Sequence, residues 1–273
     1  MTDRYAVFGN PARHSRSPDI HHAFAAQTGD DLVYERIEAP LDGFAEAVAG
    51  FFDSGGRGAN VTVPFKEQAF ALCDRLTERA RQAGAVNTLW RKQGELHGDN
   101  TDGPGLVADL RDNLGWPLAG QRLLILGAGG AVRGVLGPLL AERPADVVIG
   151  NRTLDKARAL AERFGGAAIA VRGCALEQLQ GRFDVVINAV SAGLHGEMPA
   201  LPPGLIAPGA HAYDMVYGAQ ATPFMIWARQ QGAGEIRDGL GMLVEQAAQA
   251  YRIWRGRRPH TGPVLSALRS PSR

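Results

Sequence analysis

The sequence predicts an α/β protein of two domains. Three observations carry the prediction: short strands alternating with helical stretches along the chain, an apolar run that enters a glycine turn at residues 123–134, and a linker-like break at 114–120. At 273 residues the chain is long for one hydrophobic core and comfortable for two. Hydrophobic content of 45% and charged content of 21% suit a globular protein and exclude disorder. A net charge of +1 gives no field to recruit nucleic acid or an anionic membrane. The two cysteines, Cys73 and Cys174, form no C-x-x-C, so no disulfide framework is expected and a reducing cytoplasm fits. The N-terminus lacks a signal-peptide core, and no apolar run reaches membrane-spanning length. The 35 glycines point to tight turns and close backbone approaches.

Residues 5–8 read as a first strand ending at Gly9-Asn-Pro11. The loop Ala12-Arg-His-Ser-Arg-Ser-Pro18 opens a helix to about residue 27, with Ser17 as N-cap and Pro18 in its first turn. Ser15 and Ser17 therefore precede a helix N-terminus, where hydroxyls and free N–H groups hold an anion; capping alone also accounts for Ser-x-Ser-Pro. His21 and His22 diverge by about 100° on that helix, which suits packing or surface positions better than joint metal ligation. No metal site is expected.

A strand at 32–37, a helix at 41–52 and a loop at 54–58 lead to Asn60-Val-Thr-Val-Pro-Phe-Lys66. Val61 and Val63 alternate with Asn60 and Thr62, so a strand here sends apolar side chains one way and polar ones the other. Pro64 stops the strand and suits a helix start, which puts Lys66 in the first turn, where a cation opposes the helix dipole. A solvated surface lysine satisfies the same pattern, yet a strand end with Asn, Thr and a misplaced cation has the character of a site. The next helix runs to about residue 73, Thr77 caps another ending near 84, and 85–90 with 95–98 form a hairpin turning at 91–94. A mostly parallel sheet with an antiparallel edge follows. Asp99-Asn-Thr-Asp-Gly103 opens a helix over 105–114; it is either a capped turn or a source of carboxylates for acid/base chemistry. The domain change falls near 101–120.

Residues 123–126 suit a buried parallel strand running into Gly127-Ala-Gly-Gly-Ala-Val-Arg-Gly134 and a helix over 135–141. Strand, glycine turn and helix in that order are what a dinucleotide fingerprint requires, although Val132 stands where its last glycine belongs. Gly127 and Gly129 permit the turn and the approach of a pyrophosphate to the helix N-terminus. A strand at 146–150 ends in Asn151-Arg-Thr153 rather than the carboxylate that binds a ribose 2′-hydroxyl. Arg152, with Lys156 one turn further on, suits a 2′-phosphate, so NADP(H) is favoured over NAD(H); a solvated helix start is the competing reading. Further strands are expected at 167–170, 184–188 and 212–215. The second ends in Asn188-Ala-Val-Ser-Ala-Gly193, small residues where cofactors lie in open α/β sheets. Pro223 starts a helix, and 236–242 reads as a short strand and glycine turn. A last helix spans 243–254 with Gln246 early on it; Gly256 and Pro259 end it, and Ser270-Pro-Ser-Arg273 is expected to fray.

Gly9-Asn-Pro with His14-Ser-Arg-Ser-Pro18, Asn60-Val-Thr-Val-Pro-Phe-Lys66, Gly84-Ala-Val-Asn-Thr88 and Gly98-Asp-Asn-Thr-Asp-Gly103 are followed in order by Gly127-Ala-Gly-Gly-Ala131 and Asn151-Arg-Thr153. Asp214-Met-Val-Tyr217 and Gly239-Leu-Gly-Met-Leu-Val-Glu-Gln246 complete the series. Together these blocks resemble the signatures of the shikimate dehydrogenase family over nearly the whole chain. The resemblance implies two α/β domains flanking a cleft. The substrate domain would be discontinuous, 1–103 with 238–273, and a Rossmann-like NADP-binding domain would be inserted at 104–237. It implies NADPH-dependent reduction of 3-dehydroshikimate to shikimate in aromatic amino acid biosynthesis, by a cytoplasmic monomer or homodimer.

Carried over position by position, the resemblance assigns Ser15, Ser17 and Thr62 to the substrate carboxylate. Asn60, Asn87, Asp102, Tyr217 and Gln246 would meet the ring hydroxyls and shape the pocket, and Lys66 with Asp102 would form the acid/base pair. The cofactor would use Gly127, Ala128, Gly129, Gly130 and Ala131, then Asn151, Arg152, Thr153 and Lys156, with Met215, Gly239 and Met242 near the nicotinamide. Charge developing on a carbonyl oxygen under hydride attack calls for a nearby ammonium. A free lysine titrates near roughly 10.4, so proton acceptance in the reverse direction asks for desolvation or neighbouring charge. Lys156 stands where relatives often carry Arg, and Val190 and Ala192 where many carry Thr and Ser. A quinate/shikimate or aminoshikimate dehydrogenase is the nearest alternative, and a non-catalytic NADP(H)-binding sensor a remote one.

Overall fold

The structure, a computed structural model, describes residues 2–166, 169–190 and 198–269. The chain divides into two compact units, Met1–Gly105 with Leu243–Arg273, and Leu106–Met242.

In the first unit, β1 (Asp3–Gly9), α1 (Ser17–Thr28), β2 (Leu32–Glu38), α2 (Phe44–Asp53) and β3 (Gly56–Val61) alternate as the residues predict. α3 (Lys66–Leu72), β4 (Arg75–Leu76), α4 (Glu78–Ala83), β5 (Thr88–Lys92) and β6 (Glu95–Asp99) complete a six-stranded sheet of order β2-β1-β3-β5-β6-β4. The antiparallel strand lies inside this sheet, not at its edge: β5 runs against both β3 and β6, and the two-residue β4 lies parallel to β6 on its outer side. The hairpin turns at Gln93 and Gly94, both at positive φ, as a two-residue β-hairpin demands. β1 is buried on both faces. Ala6 and Phe8 enter a core with Phe44, Val48, Phe51 and Phe65, while Tyr5 and Val7 pack on the opposite side with Tyr34.

Three local expectations change. β3 ends at Val61, with Asn60 and Val61 both buried and Val63 65% exposed. A central strand covered on both faces buries consecutive residues, so the 60–63 alternation does not sort them. Pro64 follows a cis peptide and stays outside the helix; Lys66 is the first residue of α3. Ser17 is the first residue of α1 and makes no side-chain cap; buried, its N–H instead meets the Ser15 hydroxyl at 3.3 Å.

α5 (Asp102–Ala108) begins three residues before its expected start and continues as a π-helical turn, Asp109–Asn113. In the second unit, β7 (Arg122–Leu126), α6 (Gly130–Ala141), β8 (Asp146–Asn151), α7 (Leu154–Phe164) and β9 (Ala170–Ala175) form one run. β10 (Phe183–Asn188), β11 (Ile206–Asp214), α8 (Pro223–Gln230) and β12 (Glu235–Arg237) form the other. All strands are parallel, in the order β9-β8-β7-β10-β11-β12, which is the doubly wound order of dinucleotide-binding folds. The uninterrupted apolar run of β7 follows from its central place: Leu123 and Ile125 enter one core, Leu124 and Leu126 the other. α6 starts at Gly130 rather than 135, leaving only 127–129 as the turn. Of the strand expected at 167–170, residues 167 and 168 lie outside the described residues, and β9 begins at Ala170. Ala192 and the 270–273 tail likewise lie outside them.

The final helix, α9 (Leu240–Arg255), starts earlier than expected and returns the chain to the first unit. Val244, Ala247, Ala248 and Tyr251, at helical spacing, pack with Ile20 and Phe24. A further helix, α10 (Thr261–Arg269), adds Val264 to that cluster. The sequence reading missed it because Gly256 and Pro259 look like a chain end. No helix among the described residues is long and apolar enough to cross a membrane.

His21 is fully buried in this region, stacked on Tyr34 with ring centroids 4.4 Å apart and an interplanar angle of 7°. Neither ring nitrogen has a hydrogen-bond partner among the described residues; the nearby Asn60 amide hydrogens go to Asn87 O and Thr88 Oγ1. Burial therefore lowers the imidazole from 6.5 to about 3, against a smaller opposing effect of Asn60. The unfolded chain binds this proton below about pH 6.5 and the native protein only near 3, so native stability falls as pH drops across that window. His21→Phe is expected to flatten the decline in thermal midpoint between pH 6.5 and 4; the same slope in both proteins would show that His21 does not cause it.

Candidate active site

Asn87 is the centre of a buried polar node in the first unit. It follows α4, whose cap is as predicted: Thr77 accepts the Ala80 N–H at 3.3 Å, and Gly84 ends the helix in the left-handed conformation. The Asn87 Oδ1 accepts the Thr101 N–H at 2.8 Å, the Thr88 hydroxyl at 2.9 Å and the Thr101 hydroxyl at 3.1 Å. Its Nδ2 is thereby turned to Asp102 Oδ1 at 2.8 Å and, at 3.4 Å, to Gln246 Oε1. The other Asp102 oxygen accepts Lys66 Nζ at 2.5 Å. Asp102 is the first residue of α5, where the helix dipole favours an anion, and its N–H is received by Asn100 Oδ1 at 3.2 Å. Beneath it, Asp99 is held by Arg79 through two bonds of 2.7 and 2.6 Å and by the Thr77 hydroxyl at 2.6 Å. Asp102 is largely covered, with 11% of its side chain exposed, whereas Lys66 keeps 28%.

Asn60 joins this node from β3, donating to Asn87 O at 3.1 Å while its Oδ1 accepts the Tyr34 hydroxyl at 2.7 Å. Ser15 and Ser17 share a hydroxyl contact of 3.1 Å at the start of α1. Thr62, just past β3, is fixed by its N–H to Phe8 O at 2.9 Å. Gln246 lies on α9, its amide donating to Leu243 O at 2.8 Å. Gly105 is required where α5 meets that helix, since a Cβ there would lie 2.7 Å from Gln246 N and Cβ.

In the second unit, Gly127, Ala128 and Gly129 line a groove of about 220 Å³ together with Asn151, Arg152, Thr153, Lys156, Ala189 and Val190. Gly127 sits at φ +111°, and a Cβ there would approach Ala189 O to 3.2 Å. Gly129 occupies the N-cap position of α6 with no side-chain cap, so the first-turn N–H groups from Gly130 and Ala131 onward lack that partner, as an anion site requires. Arg152 and Lys156 are exposed, with no ion-pair partner among the described residues. The open groove, the bare helix start and two unpaired cations fit a phosphorylated dinucleotide.

Met215, Gly239 and Met242 also gather in this unit. A Cβ on Gly239 would fall 2.3 Å from Met215 O, and Met242 N donates to the Tyr213 hydroxyl at 3.2 Å. Tyr213 in turn donates to buried Asp109 at 2.6 Å. Tyr217 lies half-buried on the loop after β11. At the ends of β10 and β11, Asn188 donates to Asp214 at 2.9 Å and accepts the Val190 N–H at 3.2 Å. Burial raises the Asp214 carboxyl, opposed by hydrogen bonds from Thr222, Val216 and Asn188. Sequence reasoning gave no role to Tyr34, Thr88, Asn100 or Thr101; the last three stand inside quoted motifs, whereas Tyr34 carried no signal beyond an aromatic in a strand.

A lysine–carboxylate pair on an α/β unit, with a doubly wound nucleotide-binding unit in the same chain, defines a pyridine-nucleotide-dependent oxidoreductase. Comparison with known proteins narrows this. Residues 7–89 match the shikimate dehydrogenase substrate binding domain, 110–195 match shikimate / quinate 5-dehydrogenase, and 239–269 match the shikimate 5′-dehydrogenase C-terminal domain. The chain is 66% identical over 269 residues to a shikimate dehydrogenase (NADP(+)) of Alcanivorax borkumensis, covering 98% of this chain and 97% of that one. Its fold is similar to that of an Ael1 enzyme from Pseudomonas putida, with TM-score 0.93, 46% identity and 99% of each chain covered. It is also similar to shikimate 5-dehydrogenase from Thermus thermophilus in complex with NADP(H) and shikimate, with TM-score 0.88, 35% identity and 98% and 99% coverage. The chain belongs to the shikimate dehydrogenase family.

Gly105→Ala is expected to cost about 1–3 kcal/mol of stability in urea unfolding, because the clash is with helix backbone. An unchanged midpoint would show that the two helices separate freely.

Proposed function

We propose that the protein catalyses the reversible NADPH-dependent reduction of 3-dehydroshikimate to shikimate. The observation that carries the reading is the Lys66–Asp102 contact of 2.5 Å, embedded in the Asn87 node. Both Asp102 oxygens already accept donors, one from Lys66 and one from Asn87, so Lys66 is the member with hydrogens to give. Lys66 thus stabilises the oxygen that gains charge and delivers its proton, while Asp102 orients the ammonium and accepts a ring hydroxyl. NADPH supplies the hydride. Ser15, Ser17 and Thr62 receive the substrate carboxylate; Asn60, Asn87, Tyr217 and Gln246 meet the ring. Arg152 and Lys156 hold the 2′-phosphate, the α6 start holds the pyrophosphate, and Met215, Gly239 and Met242 wall the nicotinamide. The unit of residues 1–105 with 243–273 serves as the substrate domain and 106–242 as the cofactor domain, within five residues of the expected bounds 1–103 with 238–273 and 104–237. Unpaired Cys73 and Cys174 accord with a reducing cytoplasm, where the protein acts as a monomer or homodimer.

The purified protein is expected to form reduced nicotinamide, read by its near-ultraviolet absorbance, from shikimate and NADP⁺; activity only with quinate and NAD⁺ would overturn the reading. Lys66→Ala is expected to lower kcat by about 10²–10⁴ with a much smaller change in KM. Near-normal turnover would remove Lys66 from proton transfer. Arg152→Asp is expected to shift preference toward NAD⁺, and retained NADP⁺ selectivity would place the 2′-phosphate elsewhere.

A further inference from the structure

Strand β2 lies outside every motif discussed above, yet two of its side chains reach the substrate-site residues. Tyr34 and Arg36 are two residues apart and therefore point to the same face of the sheet. The Tyr34 hydroxyl, in a residue 4% exposed, donates to Asn60 Oδ1 at 2.7 Å and holds that oxygen in place. On its other side Asn60 Nδ2 donates to Asn87 O, a carbonyl that can only accept, and to Thr88 Oγ1, at 3.1 and 3.3 Å. The stacked ring of His21 holds the phenol in plane from the other side. Burial raises the Tyr34 phenol well above its ordinary range, opposed by the Ser17 hydroxyl and the Arg36 charge, so the group stays a donor.

Arg36 acts on the other serine. Its Nε donates to the Ser15 carbonyl at 2.9 Å, and Ser15 N donates back to Ala12 O at 3.0 Å, closing the turn that presents both serines. The Ser15 hydroxyl then accepts the Ser17 N–H and meets the Ser17 hydroxyl. Arg36 is exposed, so its guanidinium both ties down this turn and places a fixed positive charge beside it.

We propose that Tyr34 and Arg36 are positioning residues that hold Asn60 and the Ser15–Ser17 turn in the geometry that receives a substrate carboxylate and its neighbouring ring hydroxyl. The inference rests on the reading of Ser15 and Ser17 as the carboxylate site. Neither residue touches the reacting atoms, so their effect falls on substrate binding and not on the chemical step.

Steady-state kinetics with shikimate and NADP⁺ test this. Tyr34→Phe keeps the ring and its stack on His21 and removes only the hydroxyl. It is expected to raise KM for shikimate about 3–10-fold, the range of one hydrogen bond, with kcat and KM for NADP⁺ within about twofold of wild type. Arg36→Ala is expected to raise the same KM and to weaken the ionic-strength dependence of kcat/KM for shikimate. Ser17→Ala serves as the reference. If it leaves KM for shikimate unchanged, the carboxylate assignment falls and this inference with it. If Ser17→Ala raises KM while Tyr34→Phe and Arg36→Ala do not, the positioning role alone is overturned. A parallel loss of kcat, NADP⁺ affinity and thermal midpoint in Tyr34→Phe would also overturn it, by assigning the hydroxyl a general structural role.

Discussion

The Thr101 backbone N–H governs how the polar node of the first unit is wired. A backbone N–H can only donate, so the Asn87 atom 2.8 Å from it must be the carboxamide oxygen. The amide nitrogen then faces Asp102 and Gln246, and Asp102 must be an acceptor on that side. Once that oxygen is committed, the remaining one is left for Lys66, and the orientation of the lysine is set by a hydrogen bond three links away. The same logic runs downward: Arg79 grips Asp99 bidentately, Asp99 accepts the Asn100 N–H at 2.7 Å, and Asn100 receives the first N–H of α5. A buried carboxylate is costly unless every oxygen is answered, and both carboxylates here are answered by donors from the adjoining strands and helices.

The second unit solves its problem with less chemistry. Six parallel strands need only apolar runs, and reversal of strand order beside β7 places the glycine turn where the backbone is open. On the proposed reading, binding there would depend on what is missing: no side chain on the glycine turn, no capping side chain on α6, and no acid at the end of β8. The two units therefore use opposite designs, a saturated hydrogen-bond network in one and unsatisfied donors and cations in the other.

These designs decide what was legible in the sequence. Strand–helix alternation is a local pattern and fell where the residues indicated; the glycine turn is shorter than expected, since α6 begins at Gly130, and Arg152 and Lys156 line one groove with it. Thr77 as a cap was equally plain. The alternation at 60–63 misled because a central strand buries both faces, so polarity does not mark direction there. Ser17 looked like a cap because Ser-Pro starts helices, but its hydroxyl turns toward Ser15 instead. The interior position of β5 depends on long-range pairing that no local window contains. Helix α10 was hidden by a Gly and a Pro that read as an ending. Tyr34 was invisible because its importance lies in a contact 26 residues away.

The first unit closes only with the returning segment. Gln246 completes the Asn87 node, Trp254 Nε1 donates to Leu89 O at 3.1 Å, and Arg255 bonds Asp3 and Asp30 at the far end of the chain. During synthesis the strands of this unit and its helices α1 to α4 emerge first, yet α9 and α10 emerge last, after nearly all of the second unit. A ribosome that stops early therefore releases a second unit together with a first sheet that has all its strands but lacks α9 and α10. The Asn87 node and the cluster around Ile20 and Phe24 gain their last partners only in the final stretch of translation.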